Sequence, residues 1–393
     1  MINTSWQNGL TVLQDSTVAE TMETLVVTDR SNHIVACYST PHLNNQPTPF
    51  MRVMTNRGAL MPPLRVPDEA VRTQKDAHFA AIDSTDSIVG AWASNDGAST
   101  TLKIFVRKFD IAPSGIAPSA ADTLVSGQNG HYVCPNVIYN AAMSANGLVF
   151  VCWVGVTDKK IEGVFLNTFD LSPASYTSTV ATNINPAYYS SSGAANLNTS
   201  AVENIVLFNV GDKIFIVYQE TASILHVASI AAPEGGRPVI TPLTSYEYTS
   251  MGKFDATFDP KEHVIMVVFS RLNIIYGDKI SVFGAASIAA SPVQLNNDSY
   301  PSTHPRIFRV SDRAGGHHFL VCWNITTGGL FYNKFDSHYY ELSAEAAINI
   351  ADRGTTNPRI NASANQLVVF MQANIGPNGN LTQAGTLLYT NTY

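Results

Sequence analysis

Two arginines stand out as residues whose types and spacing suit chemistry. Arg306 and Arg359 lie in near-identical segments, Pro305-Arg306-Ile307 and Pro358-Arg359-Ile360, and Asn136 in Pro135-Asn136-Val137 and Asn204 in Glu203-Asn204-Ile205 occupy a similar place. A guanidinium presents a planar fork of donors that matches a carboxylate or phosphate with two parallel hydrogen bonds, so a pair of them suits an anionic partner. Arg271 is the third cation from which a carboxylate-binding trio with Arg306 and Arg359 can be drawn. The acids that recur are Asp110, Asp170 and Asp336, each closing a Phe-Asp ending: Phe109-Asp110, Phe169-Asp170 and Phe335-Asp336. Glycosidases most often use two carboxylates facing one substrate. Acids repeated at the same place in different segments suit a repeated turn instead, because Asp bonds to its own backbone two residues on. No residue is therefore assigned as catalytic.

Aromatic residues supply the second candidate surface. Tyr188-Tyr189, Tyr246 with Tyr248, and Tyr339-Tyr340 fall between the apolar runs, where an aromatic ring can stack on a sugar or grip a protein. Packing between repeats is the competing use of the same rings. His317-His318 cannot easily share one metal ion, since neighbours on a strand point to opposite faces. The four cysteines show neither metal spacing nor a disulfide pattern, and Cys37, Cys152 and Cys322 recur at one position of separate runs, as small core residues would. No cofactor and no metal is expected. No nucleotide-binding glycine motif and no Gly-X-Ser-X-Gly elbow is present.

The elements that must position these residues are repeats. Phe319-Leu320-Val321-Cys322-Trp323 is the clearest copy of a short apolar run ending in an aromatic residue. It recurs as Ile34 to Tyr38, Ile88 to Trp92, Val149 to Trp153, Ile214 to Tyr218, Ile265 to Phe269 and Leu367 to Met371. The spacing, roughly fifty to sixty-five residues, is that of propeller blades rather than helical solenoids. Each run is rich in β-branched and aromatic residues and reads as a strand buried on both faces. Upstream of each lies a strand ending in a polar turn; downstream lies an alternating strand, then a weaker fourth segment, and four strands make a blade. The last repeat lacks a fourth segment, and Leu10 to Gln14 precedes the first as an orphan strand. The expectation is an all-β, seven-bladed β-propeller with four-stranded blades. It spans 1–393 as one domain, its ring closed by the N-terminal strand (about residues 10–14), so that no open sheet edge remains. The first strand of a blade lines the channel, which places Arg306, Arg359, Asn136 and Asn204 at the channel mouth.

Charged residues make up only 13% of the chain, and the net charge of −7 with no basic stripe excludes a nucleic-acid partner. No signal peptide and no apolar run of membrane-spanning length is visible, so neither export by a leader nor membrane insertion is expected. The weakly charged, Asn/Ser/Thr-rich surface is of the kind found on extracellular and virion proteins. An apolar run ending in Trp followed by a strand ending in Phe-Asp resembles the propeller-type repeats of large bacterial surface proteins and related viral and phage proteins. WD40 and Kelch signatures are missing, and the Ser-X-Asp-X-Gly-X-X-Trp repeat of sialidases is approached only by Ser311-Asp312-Arg313-Ala314-Gly315 before Trp323, at the wrong spacing. That resemblance implies fold, not function. The reading that follows is a non-catalytic binding or scaffold propeller with a protein or glycan partner and an open oligomeric state. The alternatives are a glycan-binding lectin and a propeller glycosidase or lyase.

Overall fold

A computed structural model of the chain describes residues 11–392, apart from 16–20, 56–60, 68–73, 96–100, 173–181, 184–204, 233–238, 283–291, 349–354, 375–383 and stretches of one to four residues elsewhere. For the strands from 355 onward only the backbone is described. Every regular element among the described residues is a β-strand. The strands form seven antiparallel sheets. The first strands of the sheets, in chain order, are Thr21–Val27, Gln74–Ile82, Tyr132–Asn140, Ile205–Val210, Phe254–Asp259, Ser302–Ser311 and Thr355–Ser363. The second strands are Ile34–His42, Ser87–Ser94, Leu148–Gly155, Lys213–Gln219, Val264–Arg271, His317–Ile325 and Gln366–Asn374, so each carries one of the apolar runs. Five sheets continue in sequence order to a third and a fourth strand, and the second has five strands, both Gly115–Pro118 and Thr123–Leu124 pairing with Lys103–Ala112. In the seventh the fourth place is taken by the N-terminal strand Thr11–Asp15, which pairs with Ala384–Thr392.

Contacts group the chain into two compact units, Glu23–Thr221 with Val227–Pro242, and Leu243–Tyr393 with Met1–Met22 and Ala222–His226. Within the Glu23 unit, the run residues alternate between two cores. Val149, Val151 and Trp153 pack toward the second sheet with Val89, Ala91 and Val106. Phe150 and Cys152 pack the opposite way, with Ile214, Ile216 and Tyr218 of the fourth. Strands walled on both faces cannot alternate apolar with polar, which is why the runs are continuous. The Leu243 unit repeats the arrangement, with Phe319, Val321 and Trp323 against Met266, Val268 and Ile275.

Polar residues at the ends of the first strands tie neighbouring sheets together. Asn140 Oδ1 accepts from the Ala142 amide at 2.8 Å while its Nδ2 donates to the carbonyls of Gly211 and Lys213 in the next sheet. Asp259 holds the same register and does the same work: it accepts from the Lys261 amide at 2.9 Å and pairs with His317 of the next sheet at 2.9 Å. The Asx turn expected from sequence is therefore also an inter-sheet fastener.

The three Phe-Asp endings are not equivalent. Phe109 lies opposite Ile88 and Phe335 opposite Phe319, the first residue of each run, and both rings are fully buried. In the third sheet that place, opposite Val149, belongs to Leu166. Phe169 falls three residues later, past the end of Ile161–Asn167, and is 89% exposed.

Burial also separates the thiols. Cys37, Cys152 and Cys322 are buried and Cys134 is half-buried, with burial pushing the Cys152 and Cys322 thiols far up. Since the thiolate is the reactive form, dithionitrobenzoate should label Cys134 alone in the native protein and the remaining three only on unfolding. Fast native labelling of Cys152 or Cys322 would contradict the packing.

Candidate functional site

The first strands carry a recurring irregularity. In the second, third, sixth and seventh sheets the pairing register skips between Lys75 and His78, Val133 and Asn136, Thr303 and Arg306, and Thr356 and Arg359. Each skip sets two first-strand residues against one residue of the run, and that residue is Trp92, Trp153, Trp323 or Met371, the last of the run. This is a β-bulge, which bends the strand and re-aims the next side chain. Its first residue is left-handed at Asp76 (φ 56°), Cys134 (φ 52°) and His304 (φ 51°). A proline follows at 135 and 305, and a bulge is where a strand tolerates a residue with no N–H.

The residue after the bulge lies opposite the fourth residue of the run. His78 faces Ala91, Asn136 faces Cys152, Arg306 faces Cys322 and Arg359 faces Phe370. Without a bulge, Val206 and Asp255 hold the same register, opposite Val217 and Val268. Arg306, Arg359 and Asn136 therefore do share one structural position, as their sequence neighbours suggest. Asn204 lies outside the described residues; its sheet fills the place with Val206. Sequence alone missed His78 and Asp255, because the separation from the facing run residue varies from sheet to sheet and neither follows a proline.

Side chains of this row reach the neighbouring first strand. His78 Nδ1 accepts from the Val137 amide at 3.3 Å, and Asp255 Oδ2 accepts from the Ile307 amide at 3.0 Å. Asn136 instead turns back on its own bulge, its Nδ2 donating to the Cys134 carbonyl at 3.2 Å. Asp255 stands beside Arg306. Loss of hydration on burial raises the Asp255 carboxyl above its ordinary value, outweighing the Arg306 charge and the Ile307 and Ala256 amides, which pull it down. Arg306 is half-buried, and its Nε is out of contact with solvent without a hydrogen-bond partner. Arg271 ends a second strand, opposite Ile274, and is not part of the row.

Of the tyrosines, Tyr246, Tyr248 and Tyr339 are buried and serve packing rather than a platform. Tyr248 donates to Asp278 Oδ2 at 2.9 Å, and Tyr339 donates to the Val267 and Asp278 carbonyls at 2.8 and 3.2 Å. Burial raises all three phenols and the Asp278 carboxyl. Tyr340 is 70% exposed and stacks on His338. Tyr188 and Tyr189 lie outside the described residues. His317 and His318 lie at the start of the strand His317–Ile325, and His317 is engaged by Asp259.

No protein-family model and no curated protein matches the chain. Among solved structures, a protein from Lactobacillus plantarum matches at TM-score 0.51 and 12% identity, over 92% of this chain and 96% of that one. The Hadza microbial sialidase Hz136 matches at TM-score 0.49 and 8% identity, over 95% of this chain and 66% of that one. Trypanosoma rangeli sialidase in complex with the inhibitor DANA matches at TM-score 0.47 and 9% identity, over 94% and 55%. The chain thus spans between about half and two thirds of the length of these sialidases. The expectation of a non-catalytic protein-binding scaffold is not supported by these matches, the functionally named ones among which are sialidases. At such identities the likeness is one of fold alone, and the chain has a β-propeller-like all-β fold.

Proposed function

We propose that the seven sheets are blades of one propeller spanning 1–393, closed by the N-terminal strand, and that the chain is a glycosidase acting on sugars that carry a carboxylate. The observation that carries this reading is Asp255, a carboxyl biased toward its protonated form, next to a guanidinium whose Nε has no partner. A carboxylic acid kept neutral by its surroundings is what protonates a leaving glycosidic oxygen. Arg306 would take the sugar carboxylate in a bidentate pairing that fixes the ring relative to Asp255, and Arg359 stands at the same register of the next sheet. As the glycosidic C–O bond breaks, the Asp255 proton passes to the departing oxygen; water then forms the new C–O bond at the anomeric carbon and gives its proton to the Asp255 carboxylate, which restores the acid. His78 and Asn136 hold the same register in the other unit and differ in chemistry, so the acid and the arginines, not the row as such, support the assignment.

The test is turnover of fluorogenic 4-methylumbelliferyl glycosides of sialic acid and glucuronic acid. Wild-type protein should release the fluorophore from at least one. Arg306→Ala should raise KM roughly 10- to 100-fold with a smaller change in kcat, the loss of one charge-assisted pairing made in the ground state. Absence of turnover on both probes, or an unchanged KM in Arg306→Ala, would overturn the reading.

A further inference from the structure

We propose a second, separate carbohydrate-binding site in the Glu23 unit, in the cavity beneath Phe169, for the neutral pyranose ring of a glycan. The cavity has a volume of about 790 Å³ and is bounded by the turns after Gln74–Ile82, Tyr132–Asn140 and Ile161–Asn167. That is the size range of small-ligand sites and holds a short oligosaccharide. Its lip is Phe169, the most exposed large apolar residue among the described ones at 89%.

The exposure follows from the register already described. Leu166 fills the buried place that Phe109 and Phe335 fill in their own sheets, which releases Phe169 from the core. The turn then fixes where the ring projects. Asp170 Oδ1 accepts from the Ser172 amide at 3.0 Å and from the Ser172 hydroxyl at 2.7 Å, and the Leu171 amide bonds to the Asn167 carbonyl at 3.0 Å. The Thr168 hydroxyl donates to the Asn146 carbonyl at 3.2 Å, joining this turn to the one opposite.

Around the ring the wall is polar and mixed in sign. Lys108, Asn146, Asn167, Thr168 and Asp170 line it, supplying ammonium, amide, hydroxyl and carboxylate groups. A pyranose has one face of C–H groups, which packs on a phenyl ring, and an edge of hydroxyls that both donate and accept. A wall of that kind satisfies the edge while Phe169 covers the face. Lys108 and Asp170 carry opposite charges on the one wall, so neither sign of ligand charge is favoured and a neutral sugar suits the site.

Saturation-transfer NMR on the full chain tests this with three probes: methyl β-galactoside, methyl α-mannoside and methyl N-acetyl-β-glucosaminide. Transfer to the C–H protons of one probe is expected, with affinity weakened about tenfold or more in Phe169→Ala and unchanged in Arg306→Ala. Because Phe169 is exposed, its removal leaves the fold intact, and a matching thermal midpoint confirms that. No transfer to any probe, or transfer untouched by Phe169→Ala, overturns the proposal. Loss in Arg306→Ala with retention in Phe169→Ala would assign the sugar to the other site and overturn it equally. Failure of the glycosidase assay leaves these readouts unaffected.

Discussion

Trp323→Ala should lower the unfolding free energy by about 3–5 kcal/mol, the cost of deleting a large buried ring and leaving its cavity. Trp323 is 1% exposed and packs with Met266, Val268 and Ile275 of the preceding sheet and with Ile307 and Phe335 of its own. It also lies opposite the bulge at His304 and Pro305, where a left-handed residue already holds the strand in a disfavoured conformation. Removing the ring removes the packing that opposes this strain. The measurement is a urea unfolding curve beside that of Tyr340→Ala, whose ring is 70% exposed and whose loss should change stability by no more than about 0.5 kcal/mol. Equal midpoints for the two variants would show that the aromatic end of the run is dispensable.

Asp255→Asn should lower kcat by about 10²- to 10⁴-fold if Asp255 is the general acid. The amide oxygen can still accept from the Ile307 amide, so the bridge between the two first strands survives. Two pH profiles separate chemistry from architecture. A general acid works protonated, so wild-type kcat should fall as pH rises through the raised Asp255 value. Stability follows the same sign. Because the folded carboxyl binds its proton more tightly than the unfolded one, stability is greatest below the ordinary carboxylate value and declines as pH climbs to the folded value. Asp255→Asn should flatten this decline in urea midpoints across that window. A variant with normal kcat would remove Asp255 from the mechanism.

The architecture was legible because burial on both faces leaves a mark that single-residue changes cannot erase. All seven apolar runs are second strands, and the orphan N-terminal segment pairs beside the last strand of the chain. What sequence alone misjudged was phase. Phe169-Asp170 looks like Phe109-Asp110, yet Leu166 has taken the buried place, and a likeness of two letters carries no register. The row of first-strand residues was half visible through its Pro-Arg and Pro-Asn pairs, since a proline marks a bulge. His78 follows Ala77, and Asp255 has no skipped register before it, so neither advertised itself. The tyrosines were ambiguous for a different reason. Tyr248 and Tyr339 sit between strands in sequence, but their hydroxyls reach buried acceptors and their rings follow them inward.

The bulges have a bearing on how such a chain can change. Across each one the run advances two residues while the first strand advances three, so Thr303 and Arg306 meet run residues of the same face although an odd number of steps separates them. The spare residue acts as slack: gaining or losing it alters the phase of the strand's outer end and leaves the tryptophan and everything inward in place. The position just inside is correspondingly free of the core's volume constraints, and His78, Asn136, Arg306 and Arg359 show four occupants of it, three of them chemically distinct. One codon there alters the chemistry of the position, on a frame that need not be refolded around it.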